Sequence, residues 1–302
     1  MLSLHGLGLL YLLHVRGVHS IRKLYFSTTF RLSRAIRSFR TLHLHQLDLA
    51  LVEALPDRQR TVFTAHTSMA HVSSDYIGRV RSGLSKVDTI ISVANSTTKE
   101  LELMGVDPEK IVTITNSIDG SDLVKMRIDR KRTEIVWVGR VEREDKNPYL
   151  FVDIAKHFQE KGIRADFGVY GRGSELAQLK RYCKDRGIAN VAFHGFAADR
   201  REVYRRAKLL LLTSDREAFP LVVLEALAAG VPIVSTEVGD VSNILSNGGG
   251  LIADGSPDDF LKCYNQIIDS EYDAYCEQAR SNYIRNHSYN DFLDKMRVIY
   301  YE

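Results

Sequence analysis

The sequence is poor in the features that mark several protein classes. Its 302 residues include three cysteines, Cys183, Cys263 and Cys276, scattered and odd in number. They form neither a disulfide framework nor a metal-ligand spacing, and a reducing compartment suits them. An excess of one charge is also missing. Forty-one basic and 38 acidic residues leave a formal net charge of +3, too little to argue for nucleic acid, and no nucleic-acid-binding motif appears. Long hydrophobic runs are lacking as well. The apolar stretch 2–15 is interrupted by Gly and His and is too short to span a bilayer. No basic residue precedes it and no small-residue cleavage site follows, so it is expected as a packed element of the first domain and not as a signal peptide. Repeats, low-complexity tracts and Pro/Gly/Ser linkers are absent. A globular chain long enough for two domains remains.

The charge that is present is uneven. Residues 1–45 carry seven basic residues (Arg16, Arg22, Lys23, Arg31, Arg34, Arg37 and Arg40), and the first acid is Asp48. Within this lobe, 28–40 places Leu32, Ile36 and Phe39 on one helical face with the arginines mostly off it. Two readings stay open: a solvated surface helix, or a face for anionic membrane or a phosphate-bearing acceptor.

From residue 41 the pattern alternates. Strands are expected at 41–45, 61–65, 89–93 and 111–115, then at 135–138, 165–170, 191–193, 209–212 and 251–253. Helices are expected between them, including 46–55, 96–104, 148–161, 175–186 and 200–207, and then 257–269, 272–285 and 289–301. Strands alternating with helices mean parallel sheets. The charged stretch 122–132 serves as the linker, which divides the chain into domains 1–130 and 131–302.

The densest information lies in 213–239, a strand end, a polar loop, a helix, a glycine stop and another strand. Pro220 is expected as the first helical residue, with the helix at about 221–229; Gly230 and Val231-Pro232 end it. Backbone N–H groups near 219–222 make a partial positive end suited to hydroxyls and phosphates. Two carboxylates, Glu217 and Glu225, frame loop and helix. Glu225 shares its stripe with Leu221, Val222, Ala228 and Ala229, where an unpaired charge is costly. A vicinal diol would satisfy it, and so would an Arg or Lys from a neighbouring element.

Other candidates stand at strand ends. Arg140 and Lys146 follow the strand that ends at Gly139; together they suit a diphosphate, or else they are exposed charges beside Glu142, Arg143, Glu144 and Asp145. His66 closes another strand as a site residue or a structural hydrogen bonder. Gly171-Arg172-Gly173 is weak evidence of a ligand loop, His194 reads as structural, and 239–243 offers backbone N–H groups to phosphate.

The wording Glu217-Ala218-Phe219-Pro220, followed by Glu225-Ala226-Leu227-Ala228-Ala229-Gly230-Val231-Pro232, resembles the donor-binding signature of retaining glycosyltransferases of family 4. Val138-Gly139-Arg140 with Lys146-Asn147-Pro148 resembles that family's pyrophosphate site, and Val62-Phe63-Thr64-Ala65-His66 its strand and cleft histidine. The resemblance implies a GT-B fold, two Rossmann-like α/β domains with parallel sheets facing a cleft, here with a shortened first domain and the last helix packing back toward it. It implies catalytic roles for His66, Glu217, Arg140 and Lys146. Gly139, Arg140, Lys146, Glu217, Ala218, Phe219, Pro220, Leu221 and Glu225 are implied as the donor site. Glu217 would contact the transferred sugar and Glu225 the ribose. The co-substrate would be a UDP- or GDP-linked sugar and the acceptor a saccharide or lipid-linked saccharide of polysaccharide or lipopolysaccharide assembly. The chain would be cytoplasmic, with peripheral contact to anionic membrane through the basic lobe. No Asp-x-Asp occurs, so no metal and no cofactor is expected. Two other readings stay open: a GT-B nucleotide-sugar epimerase, or a non-catalytic nucleotide-sugar-binding partner subunit.

Overall fold

In a computed structural model of the chain, the described residues are 11–13, 22–24, 41–45, 60–66, 74–128 and 132–301. They divide into two compact units, Met1–Thr115 with Asp294–Glu302, and Asn116–Leu293. The expected helices 28–40 and 46–55 lie outside the described residues, as does most of the stretch 2–15.

The first unit holds a six-stranded sheet in the order β2-β1-β3-β4-β5-β6. Strands β3 (Thr41–Leu44), β4 (Arg60–Ala65), β5 (Thr89–Ser92) and β6 (Ile111–Thr113) are parallel, as the alternation predicts. Leu42, Leu44, Val62, Phe63 and Ile90 are buried along them, consistent with strands covered on both faces. The edge adds antiparallel strands ahead of the first one expected at 41–45. Here β1 (Tyr11–Leu13) pairs antiparallel with both β2 (Arg22–Leu24) and β3. The eight residues between β1 and β2 are too few for the crossover that a parallel pair needs.

The second unit is built on β7 (Glu134–Val138), β8 (Asp166–Tyr170), β9 (Val191–Gly195), β10 (Ala207–Leu212), β11 (Ile233–Thr236) and β12 (Gly250–Ala253). All pairs are parallel, and the order β12-β11-β10-β7-β8-β9 runs outward in both directions from β7 and β10. Consecutive connections leave to opposite sides there, so the loops at the carboxyl ends of β7 and β10 open a crevice. The core beneath is aromatic. Phe151 and Phe158, on the helix Pro148–Glu160, meet Phe167 of β8 edge-on, with centroids 5.5 and 5.3 Å apart, a favoured geometry for ring quadrupoles.

Two expected boundaries change. The helices expected at 257–269 and 272–285 form one helix, Pro257–Asn286, because neither Pro nor Gly interrupts the hydrogen-bond ladder between them. Both ends of the charged stretch 122–132 are held inside the second unit. Asp122 pairs with Arg200, and buried Arg132 donates to the carbonyls of Gly230 and Ala229 at 3.1 and 3.2 Å. Residues 129–131 lie outside the described set.

Candidate functional site

The loop after β7 is shaped by Asn147. A short helix, Arg143–Lys146, ends in Asn147 at φ +40°, and Pro148 opens the next helix. Asn tolerates the left-handed region better than most residues, and its side-chain oxygen accepts from the Leu150 N–H, so one residue both reverses the chain and caps a helix. The loop after β10 is tied to it. Asp215 and Arg216 donate their backbone N–H groups to the Asp145 carbonyl, Thr213 Oγ1 donates to the Asn147 carbonyl, and Asn147 Nδ2 donates to Asp215.

This stapling brings Lys146 onto Glu217. Nζ lies 2.6 Å from Oε1, and Ser214 Oγ donates to the same oxygen at 2.8 Å. Two expected site residues 71 positions apart thus satisfy each other. Arg140 instead turns to Glu142, 3.0 Å away, with 59% of its side chain exposed.

The helix Leu221–Ala228 begins one residue later than expected. Pro220 is its N-cap at ψ 120°, not its first helical residue; ψ 120° lies outside the helical range, while its ring-fixed φ suits either side of the boundary. Ala218, Phe219 and Pro220 are buried and Leu221 is half exposed. At the far end Gly230 takes φ +63°, and the Val231 N–H reaches back to the Ala226 carbonyl, a Schellman-type stop. Arg132 and Arg280 place their guanidinium groups on the Ala229 carbonyl, complementing the negative end of the helix dipole. The expectation that 239–243 supplies N–H groups to phosphate is corrected at two positions. Asp240 N–H donates to the Ala218 carbonyl and Val241 N–H to the Val238 carbonyl.

Glu225 lines a cleft of about 670 Å³ together with Gly139, Gly171, Tyr170, Phe196 and Arg200. Gly139 and Gly171 cross so closely that a Cβ on Gly171, at φ +155°, would lie 1.8 Å from the Gly139 carbonyl oxygen. Tyr204 donates to Glu225 Oε2 at 2.8 Å, and Arg200 Nη1 is 3.7 Å from Oε1. Burial pushes the Glu225 carboxyl above its ordinary pKa, while the Tyr204 hydroxyl and Arg200 pull the other way. Arg200 and Tyr204 were not among the sequence candidates. Their spacing of four on the helix Arg200–Arg206, just ahead of β10, puts both on one face and is the signal that marks them. Lys146, Glu217 and Arg140 do not line this cleft.

His66 belongs to the first unit, at the carboxyl end of β4, where its Nε2 lies 2.8 Å from His45 Nδ1 with the rings stacked. Burial lowers the pKa of His66, and burial together with His66 lowers that of His45 to about 4. His194 Nε2 donates to buried Glu134 at 2.7 Å, and its ring stacks on Tyr170. Residues 67 and 68 lie outside the described set.

Comparison with known proteins gives a consistent picture. The family profile "Glycosyl transferases group 1" matches residues 121–287, and "Glycosyltransferase Family 4" matches residues 11–121. The chain is 27% identical over 193 residues to the O-antigen biosynthesis glycosyltransferase WbnH of Escherichia coli, covering 64% of this chain and 54% of that protein. It is 25% identical over 195 residues to the lipopolysaccharide 1,6-galactosyltransferase of Salmonella typhimurium, covering 61% and 53%. The chain therefore spans about half the length of the curated relatives it matches. In structure it is similar to Anabaena Alr3699/HepE solved with UDP, at TM-score 0.78 and 15% identity, over 90% of this chain and 81% of that one. TarM is similar at TM-score 0.76 and 17% identity, over 93% and 60%. These likenesses establish the GT-B fold. Among the described residues no helix is long and apolar enough to cross a membrane.

Proposed function

The chain belongs to the glycosyl transferases group 1 family, and from that premise we propose that it transfers a sugar, with retention at the anomeric carbon, from a nucleotide-sugar to a saccharide or lipid-linked acceptor in glycan assembly. The observation that carries this reading is the placement of Glu217 and Glu225 on the loop and helix that follow β10, at the switch point of a parallel sheet. Glu225, on the wall of the cleft, accepts from the two ribose hydroxyls, and Glu217 accepts from hydroxyls of the sugar. As the bond from the anomeric carbon to the diphosphate breaks, its electron pair passes to the diphosphate oxygen, where Lys146 and Arg140 offset the charge. The acceptor oxygen bonds to the anomeric carbon and passes its proton to the departing diphosphate. His66 is assigned to the sugar from the motif resemblance alone. These cations take the part that a bound metal plays in other transferases.

Titration calorimetry with a panel of UDP-, GDP- and ADP-sugars tests the reading. One nucleotide-sugar is expected to bind, about tenfold more weakly to Glu225→Ala and Arg140→Ala, as befits the loss of a charge-assisted contact. Absence of binding across the panel would overturn it.

A further inference from the structure

Tyr204 is fully buried, and its hydroxyl proton has two acceptors, Glu225 Oε2 at 2.8 Å and the Val222 carbonyl at 3.3 Å. Glu225 retains 21% of its side-chain exposure on the wall of the cleft. Its other oxygen is held differently. At 3.7 Å, Arg200 Nη1 forms an ion pair with Oε1 but not a hydrogen bond. The remaining guanidinium nitrogens of Arg200 are directed to Asp122 and to the Asp119 carbonyl. One carboxylate oxygen is thus pinned from within the protein, while the other is charge-compensated with its lone pairs open.

We propose that Tyr204 is a positioning residue for the nucleotide: by fixing Oε2 of Glu225 it stops the carboxylate from rotating and presents Oε1 to the ribose, which makes the cleft select ribonucleotides over 2′-deoxyribonucleotides. The inference rests on the reading of Glu225 as the ribose contact. The selectivity follows from hydrogen-bond chemistry. A buried acceptor built for a hydroxyl is left unpaired when that hydroxyl is missing, and the loss is larger when the acceptor is charged. Selectivity requires a carboxylate that stays in place, because one free to turn finds another partner. Tyr204 supplies that restraint from a fully buried side chain in the cleft wall.

The test compares UDP and GDP with their 2′-deoxy counterparts by titration against the wild type, Glu225→Gln, Tyr204→Phe and Tyr182→Phe. The last removes a half-buried hydroxyl bonded to Asp153 elsewhere in the same unit and controls for the loss of a hydrogen-bonded tyrosine hydroxyl as such. Circular dichroism verifies that each variant is folded. The wild type is expected to prefer the ribo form by about tenfold, the worth of one hydrogen bond to a charged group. Tyr182→Phe is expected to keep that preference, whereas Glu225→Gln and Tyr204→Phe are expected to reduce it to about twofold or less. If Glu225→Gln keeps the preference, the ribose reading of Glu225 fails and the inference falls with it. If Glu225→Gln loses the preference while Tyr204→Phe keeps it, or if Tyr182→Phe loses it too, the ribose reading survives and the role of Tyr204 is overturned.

Discussion

Lys146→Met is the substitution that most directly probes how the two site loops are joined. It keeps most of the apolar stem and removes the ammonium that lies 2.6 Å from Glu217 Oε1. The side chains are 27% and 9% exposed, between the fully solvated and the fully buried case. Exposed ion pairs contribute about 0.2–1 kcal/mol, and a hydrogen bond to a charged group about 1.5–3 kcal/mol. Ser214 Oγ still donates to the same carboxylate oxygen in the variant, so Glu217 is not left bare. A coupling of about 1–2 kcal/mol follows, or a fall in melting temperature of about 2–4 °C per kcal/mol for a domain of this size. A double-mutant cycle of Lys146→Met and Glu217→Gln by urea denaturation isolates the pair. In Lys146→Met, a nucleoside diphosphate is expected to lose more affinity than the nucleoside, because the ammonium is assigned to the diphosphate. A coupling below about 0.3 kcal/mol, or equal losses for the two ligands, would refute the reasoning.

Two further outcomes follow from backbone and burial. Gly171→Ala brings a methyl into the Gly139 carbonyl at a distance no relaxed structure allows, so a destabilisation of about 3 kcal/mol or more is expected in urea melts, with nucleotide binding impaired by displacement of the 139 loop. His287 is held by burial at a pKa of about 4, against an ordinary value of 6.5. The unfolded chain therefore binds a proton that the folded chain refuses between these pH values, and stability falls as pH drops from about 6.5 to 4, by at most about 3 kcal/mol from this group. His287→Asn is expected to flatten that slope; equal slopes in the two proteins would show that the acid sensitivity arises elsewhere.

Much of the second unit is legible in its residues, because its signals are local. The apolar run at β10, Asn147-Pro148 and the Gly230-Val231-Pro232 stop each decide a backbone course within a few residues. Less local features were missed. The hairpin of β1 and β2 has strands of three residues, too short for a period to show. The break expected near residue 270 rested on side-chain pattern, while the backbone ladder, uninterrupted by Pro or Gly, continues.

The sequence by itself determined the alternation of strands and helices, the glutamate pair and the family wording, since all of these are written within single segments. Tertiary structure alone decided what each charge meets. The sequence reading left Glu225 open between a diol and a basic partner; the fold sets a tyrosine and an arginine 21 and 25 residues upstream against it and leaves one oxygen with open lone pairs. Lys146 and Arg140 read alike in the chain, yet one is bound to Glu217 and the other to Glu142. The physical reason is that a charged side chain takes its partner from whatever the packed loops bring within hydrogen-bond reach. That distance is set by the sheet order and by the stapled loops rather than by separation along the chain.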